Sequence, residues 1–405
     1  MRQPELLSPA GDLERLRFAI RYGADAVYIG ATEFGMRSAP KNFTMEQMHD
    51  GVMFAHEYGR RVYLTLNTVP TNEEAARMPD FVRQAAQTGI DAFIVADLGV
   101  LSIVKKYAPD VEVHLSTQVG ISNYMAANMA YELGAKRVVL ARELSLRDIA
   151  VIRDHTPQEL ELEAFVHGAM CMSYSGRCLL SHYLTGRDAN RGECTQPCRW
   201  AWSLVEEHRP DRHFPIGETS EGSYILNADD LCSVPFLDLI CQAGVDSLKI
   251  EGRAKTFYYV ASTTAAYRKA LDAYLKSPDE FICPEEVLDE LTKISHRRYS
   301  PGFYFGKEDA IQNTKVGGYI RDWEVVAVVD EWKDGVAFCT QRGKWELGEA
   351  LEILTPSGDV LLICPEWIHD GEGECIESTA HAMMRFSIPV NTRVPSYSIL
   401  RKKRF

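Results

Sequence analysis

No apolar run in the 405 residues approaches the roughly 20 that a membrane span needs, and no apolar signal segment follows Met1. The chain is therefore expected to be soluble and cytoplasmic, without a membrane partner. No internal repeat or low-complexity stretch appears. Positive charge is in deficit: 44 Lys and Arg against 57 Asp and Glu leave a net charge of -13. Most of such a surface repels phosphate, which disfavours a protein that coats nucleic acid indiscriminately. Several catalytic signatures are missing as well. A Gly-x-Gly-x-x-Gly after the first strand, which a dinucleotide fold would carry, is absent. So are the metalloprotease His-Glu-x-x-His, the ferredoxin run with two-residue gaps and the C-x3-C-x2-C of radical S-adenosylmethionine enzymes.

What is present is an alternation of short apolar runs with helical periodicity, each pair closed by Gly or Pro. The first run is Glu5 to Ala10. Others span Ala26 to Gly30, Arg61 to Asn67, Ala92 to Asp97, Glu112 to Gln118, Arg137 to Glu143, Glu161 to His167 and Ser247 to Arg253. Eight near-continuous apolar strands, most followed by a helix, predict a closed (β/α)8 TIM-type barrel over residues 1–275. A helical connector is expected over 276–312. Period-two strands with hairpin signals then predict a small all-β, barrel-like domain over 313–405.

Barrel chemistry sits where the strands end. Among the residues there, Ser8, Asp97 and Ser116 also read as simple caps. For Arg142, Glu143, Glu251 and Arg253 capping is a poor explanation, and they are candidate site residues. His167 serves equally as a satisfied strand-end histidine or a substrate contact.

The Cys-rich loop 168–232 lies between the seventh and eighth strands, anchored at the same mouth. Five of the ten cysteines fall within it: Cys171, Cys178, Cys194, Cys198 and Cys232, spaced C-x6-C-x15-C-x3-C-x33-C. Clustering of this kind in an intracellular chain points to metal or catalysis rather than disulfides. Only Cys194 and Cys198 form a close pair, whereas structural zinc normally takes two. A widely spaced four-Cys [4Fe-4S] site fits, with zinc as the other metal to weigh. Cys241 reads as a buried thiol, and the same reading extends to Cys283, Cys339, Cys364 and Cys375. Two basic patches stand out, Arg177, Arg187, Arg191 and Arg199 in the loop and Arg401, Lys402, Lys403 and Arg404 at the end of the chain; a charged tail is usually just solvated. The stretch Ser295 to Gly306 interleaves Arg297 and Arg298 with Tyr299, Phe303 and Tyr304, a pattern that suits either RNA stacking or packing on the barrel.

The run from Glu163 through His167 to Cys171, with Tyr174 to Ser181, resembles the signature of the collagenase-like peptidase family U32. Leu7 to Gly11, His114 to Gln118, Arg137 to Leu144 and Lys249 to Arg253 resemble it too, so the likeness covers nearly the whole chain. The segment Arg191 to Arg199 is most similar to the branch of tRNA wobble-uridine hydroxylases. That resemblance implies oxygen-independent formation of 5-hydroxyuridine, prephenate as hydroxyl source, tRNA as partner and a [4Fe-4S] cluster. It also implies Cys171, Cys178, Cys194 and Cys232 as ligands, with Cys198 a fifth thiol. Relatives acting on ribosomal RNA or on a ubiquinone precursor, and the family's peptidase label, are the alternatives. A non-catalytic zinc-stabilised RNA scaffold is a third class.

Overall fold

A computed structural model describes residues 3–34, 42–171, 173–200, 203–206, 209–215, 229–306 and 319–404. The expected boundary between connector and β-domain, at 312/313, lies outside them.

Eight parallel strands close on themselves: β1 (Glu5–Pro9), β2 (Ala26–Gly30), β3 (Arg61–Leu66), β4 (Ala92–Val95), β5 (Glu112–Leu115), β6 (Arg137–Val139), β7 (Glu161–Ala169) and β8 (Ser247–Ile250). Closure comes from β8, which pairs with β1 on one side and β7 on the other. Because both faces are covered, the strands are buried almost throughout, which is why they read as continuous apolar runs. The helices between them are α1 (Leu13–Arg21), α2 (Met45–Glu57), α3 (Asn72–Gln87), α4 (Leu98–Tyr107), α5 (Tyr124–Glu132), α6 (Leu146–Asp154) and α7 (Leu237–Gln242), and α8 (Phe257–Lys276) follows β8. Their starts are written in the sequence. Capping boxes open α2 with Thr44 and Gln47, α3 with Thr71 and Glu74, and α6 with Ser145 and Asp148. Asp97 and Ser116 prove to be caps, whereas the buried Ser8 hydroxyl bonds to Thr264 on α8 at 2.8 Å.

Polar groups fill the lower barrel. Arg137, 2% exposed, donates to Glu5 at 2.7 Å, to Glu161 at 2.7 Å and to Glu163 at 3.1 Å. Lys249 donates to the other oxygen of Glu163 at 2.5 Å. Burial opposes the charge on Glu163, yet Lys249 and Arg137 together hold its carboxyl below the ordinary range.

After α8 comes α9 (Glu285–Thr292), and Tyr299–Ser300 then pairs with Asp230–Cys232 at the end of the Cys-rich loop. The C-terminal domain is all-β as expected. Its strands are β9 (Trp323–Lys333), β10 (Val336–Gln341), β11 (Leu351–Leu354), β12 (Val360–Ile363), β13 (His369–Asp370), β14 (Arg385–Pro389) and β15 (Ile399–Lys403). They form an antiparallel sheet in the order β12-β11-β15-β9-β10-β14-β13 around a separate core that includes Trp345. The basic run at the chain's end is part of that sheet and not a solvated tail. Arg401 is fully buried and paired with Glu290 and Glu352, and Lys402 reaches Glu349 at 2.8 Å. Cys241 and Cys339 are buried as expected, whereas Cys283 is half-buried and Cys364 and Cys375 are exposed. No helix among the described residues is long and apolar enough to cross a membrane.

Candidate active site

A cavity of about 1110 Å³ opens at the C-terminal ends of the barrel strands. One arc of its mouth is charged. Arg142 follows β6, Lys249 lies in β8, and Glu251 and Arg253 follow β8. Arg142 donates to the Ala169 carbonyl at 2.8 Å and to Glu251 at 3.1 Å, with its guanidinium 3.8 Å from the centre of the Phe165 ring. Arg253, 5% exposed, donates to the Thr65 hydroxyl. These contacts fix two planar guanidinium groups at the mouth of one cavity, the arrangement that suits recognition of carboxylate or phosphate.

The residues that the opposite strands themselves bring to the mouth are uncharged. Asn67 follows β3, Ile94 belongs to β4, and Ser116, Thr117 and Gln118 follow β5. Above both arcs the C-terminal domain adds Arg321, Trp323, Arg342 and Arg404. At this rim three cations surround the Tyr319 ring: Lys255 at 4.4 Å, Arg297 at 4.8 Å and Arg321 at 5.4 Å. Lys249 belongs to one of the motifs that sequence reading singled out, without being named as a site residue. Nothing in the one-dimensional pattern signals the rim, because its residues come from segments far apart in the chain.

The Cys-rich loop closes the remaining side. Cys171, Cys178, Cys194 and Cys198 all line the cavity. Desolvation raises the Cys171 pKa, and the nearby Cys178 and Cys194 thiols add to the rise against the pull of Arg142. Cysteines gathered on one wall suit a soft metal group, since metal charge is what makes clustered thiolates stable. Among the described residues, however, no three His, Cys, Asp or Glu side chains stand close enough to hold a metal ion. Cys232 does not share the wall. It sits in the short strand Asp230–Cys232, antiparallel to β7, where burial pushes its thiol up to about 12 beside Tyr267.

His167 is not among the cavity residues either. In the ladder between β7 and β8, Phe165 pairs with Lys249 and His167 with Ile250, so Val166 is an extra residue. Such a bulge reverses the alternation of side chains. The His167 ring therefore lies among Tyr259, Tyr267 and Tyr299, 1% exposed, and burial pushes its imidazole down to about 3. Glu143 also misses the cavity. Its carboxylate accepts the Ser175 backbone N–H at 2.8 Å and the Ser175 hydroxyl at 3.2 Å. Ser175 has φ of 49°, a left-handed conformation rare for a residue with a side chain, so Glu143 holds a strained turn between Cys171 and Cys178.

Much of the aromatic stretch after α9 is packed inward, while Arg298 and Phe305 stay exposed. Tyr304 is buried with its hydroxyl on the Phe165 carbonyl, Tyr299 stacks on His296 at 4.4 Å, and Arg297 is 4% exposed. Of the loop arginines, Arg177 and Arg187 are exposed and Arg191 pairs with Glu74 of α3, while the side chain of Arg199 lies outside the described residues.

The sequence model of peptidase family U32 matches residues 11–314, and that of the family's C-terminal domain matches residues 321–401. A tRNA hydroxylation protein P1 from Bacillus subtilis is 35% identical over 99% of this chain and 95% of its own. A 23S rRNA 5-hydroxycytidine synthase from Escherichia coli is 40% identical over 67% of this chain and 40% of its own. A collagenase from Porphyromonas gingivalis is 32% identical over 98% of this chain and 97% of its own. With two family models matching in tandem across barrel and β-domain, the chain belongs to peptidase family U32.

Proposed function

We propose that this protein is an RNA-modifying hydroxylase that places a hydroxyl group on C5 of a tRNA uridine at the wobble position. The observation that carries this reading is the composition of the cavity: thiols on one wall, two fixed guanidinium groups on a second and uncharged amides and hydroxyls on a third. The relatives described as tRNA and rRNA hydroxylation proteins support the substrate class. Arg142 and Arg253 would hold a small dicarboxylate, with prephenate the hydroxyl source that the family resemblance implies. Cys171, Cys178 and Cys194 would hold a [4Fe-4S] cluster, the fourth thiolate coming from Cys232, as the resemblance implies, or from Cys198 on the cavity wall. Such a cluster supplies redox chemistry that no side chain offers. Exposed Tyr174 and Tyr183, with Arg177 and Arg187, give the loop an aromatic and basic face suited to an unpaired RNA segment. A peptidase reading fares worse, because no histidine among the described residues lines the cavity to serve as base for a thiol or hydroxyl nucleophile.

The test is anaerobic purification followed by iron and sulfide analysis of the wild type and of single Cys→Ala variants at 171, 178, 194, 198 and 232. Nucleoside analysis of tRNA from cells with and without the protein follows. Iron and sulfide near four per chain, and 5-hydroxyuridine that depends on the protein, are expected. Zinc without iron would sink the redox reading.

A further inference from the structure

Gln118 stands apart from every other polar side chain on the cavity wall. It is 5% exposed, it lines the cavity, and neither its amide oxygen nor its amide nitrogen has a hydrogen-bond partner among the described residues. Only its backbone is engaged, through a 3.4 Å bond from its N–H to the Ser116 hydroxyl. A buried carboxamide with both ends unpaired is costly to keep and marks a site whose partner arrives from outside. The Asn67 amide oxygen, from β3 on the same arc, is unpartnered too.

We infer that Gln118 is the residue that reads the edge of the target base, an inference that rests on the uridine-hydroxylase reading above. Placement in the mouth separates two kinds of ligand. The cations are carried by β6 to β8, with Arg253 reaching across the mouth to Thr65 of β3, whereas Ile94 of β4 and Ser116, Thr117 and Gln118 after β5 bring no charge of their own. A dianion belongs with the cations. A neutral, flat group that both donates and accepts belongs with the uncharged residues. Uracil is such a group: its N3–H gives a proton to the Gln118 oxygen while an adjacent ring carbonyl accepts from the Gln118 NH2. Base edges become available in this way once a nucleotide is unstacked, as bases undergoing chemistry are. Asn67 offers a second acceptor along the same arc.

The probes are fluorescein-labelled pentauridylate and an abasic ribose-phosphate pentamer of the same charge, titrated against wild type, Gln118→Leu and Gln118→Glu. Wild type is expected to prefer the uridine pentamer roughly tenfold or more, the discrimination one two-pronged base contact provides. Gln118→Leu erases most of that preference and leaves abasic affinity unchanged. Gln118→Glu, close in shape to the native side chain, does the same because an ionised carboxylate faces a uracil carbonyl; it decides the matter if the Leu variant does not fold. Equal weakening of both pentamers, retained preference in both variants, or a loss confined to prephenate binding would each overturn the role of Gln118. Failure of the parent reading looks different: there the wild type itself yields no protein-dependent 5-hydroxyuridine in tRNA.

Discussion

The Arg401 guanidinium grips both oxygens of Glu290, at 2.5 and 2.6 Å, from the last strand of the β-domain to α9 beside the barrel. Glu352 accepts from the same group at 2.8 Å and 3.0 Å, and the Tyr258 hydroxyl lies 3.1 Å away. This buried ion cluster, together with the Tyr22 hydroxyl of the barrel side on the carbonyls of Leu354 and Tyr397, sets the β-domain over the cavity mouth. It thereby places Arg321, Trp323, Arg342 and Arg404 at the rim.

Arg401→Ala strands the buried Glu290 carboxylate, while Glu352 keeps Lys293 at 3.1 Å. Its expected cost is about 3–5 kcal/mol, the range for breaking a buried pair from one side. Lys403, exposed at the end of the same strand, is expected to cost within about 0.5 kcal/mol when changed to Ala. Urea unfolding of the two variants checks this; equal midpoints would show that the cluster does not anchor the domain.

The basic run shows why some of the structure was hidden in the sequence. Arg401 to Arg404 reads as one charge block, but Arg401 lies within the strand and is buried, whereas Lys403 ends the strand and is exposed. Burial of an arginine depends on carboxylates, here Glu290 and Glu352, that lie far away in the chain. The barrel was legible because eight strands buried on both faces leave an unambiguous apolar signal, and Arg142, Glu251 and Arg253 were legible as charged residues at the ends of those strands. His167 looked equally promising and is turned away by one extra residue, Val166, in a ladder whose register no single strand reveals. Gln118 sat in a strand-end motif, yet its importance rests on what it fails to touch.

A second tether holds the Cys-rich loop. Arg191 donates to both oxygens of Glu74, one at 2.9 Å, and Glu74 also closes the capping box of α3. The hydrogen bond from Arg191 is the chief cause that brings the Glu74 pKa down to about 2. A carboxyl lowered on folding contributes stability above its unfolded pKa near 4.3, and that contribution fades as pH falls toward 2. Arg191 is 37% exposed, so solvent screening keeps the stability term small, at about 1 kcal/mol or less. Glu74→Gln at pH 7.5 is therefore expected to lower the melting temperature by only a few degrees. Trypsin cleavage after Arg177 or Arg187 is expected to rise severalfold, whereas moving the wild type from pH 7.5 to 6 leaves its protection unchanged. Unaltered cleavage of the variant would show that the loop is held elsewhere.

Glu163 balances two buried cations at once, Arg137 at 3.1 Å and Lys249 at 2.5 Å. Arg137 keeps Glu5 and Glu161 when Glu163 is neutralised, but no other carboxylate pairs with Lys249 among the described residues. Glu163→Gln is expected to destabilise by about 3 kcal/mol, with Lys249→Met added on top recovering part of that loss. Denaturant midpoints of the two single variants and the double variant give the coupling directly. Strict additivity would mean that the two groups are not held as a pair.

Gly30 ends β2 directly beneath Arg253. A Cβ built at this position falls 2.4 Å from Arg253 Nη1 and 2.6 Å from its Cζ, closer than atoms pack. The clash involves the end of a long side chain, so Gly30→Ala moves the guanidinium away from Thr65 rather than disrupting the barrel. Stability is expected to change by about 1–2 kcal/mol. If the proposed tRNA hydroxylation uses Arg253 as anion holder, it is expected to fall roughly 10- to 100-fold in kcat/KM, the scale on which small misplacements of a positioning group are felt. Arg253→Ala should lose at least as much, and the Gly30→Ala/Arg253→Ala pair should lose little beyond Arg253→Ala alone, because the glycine acts through the arginine. A multiplicative loss in the pair would assign Gly30 an effect of its own and separate it from the proposed anion-holding role of Arg253.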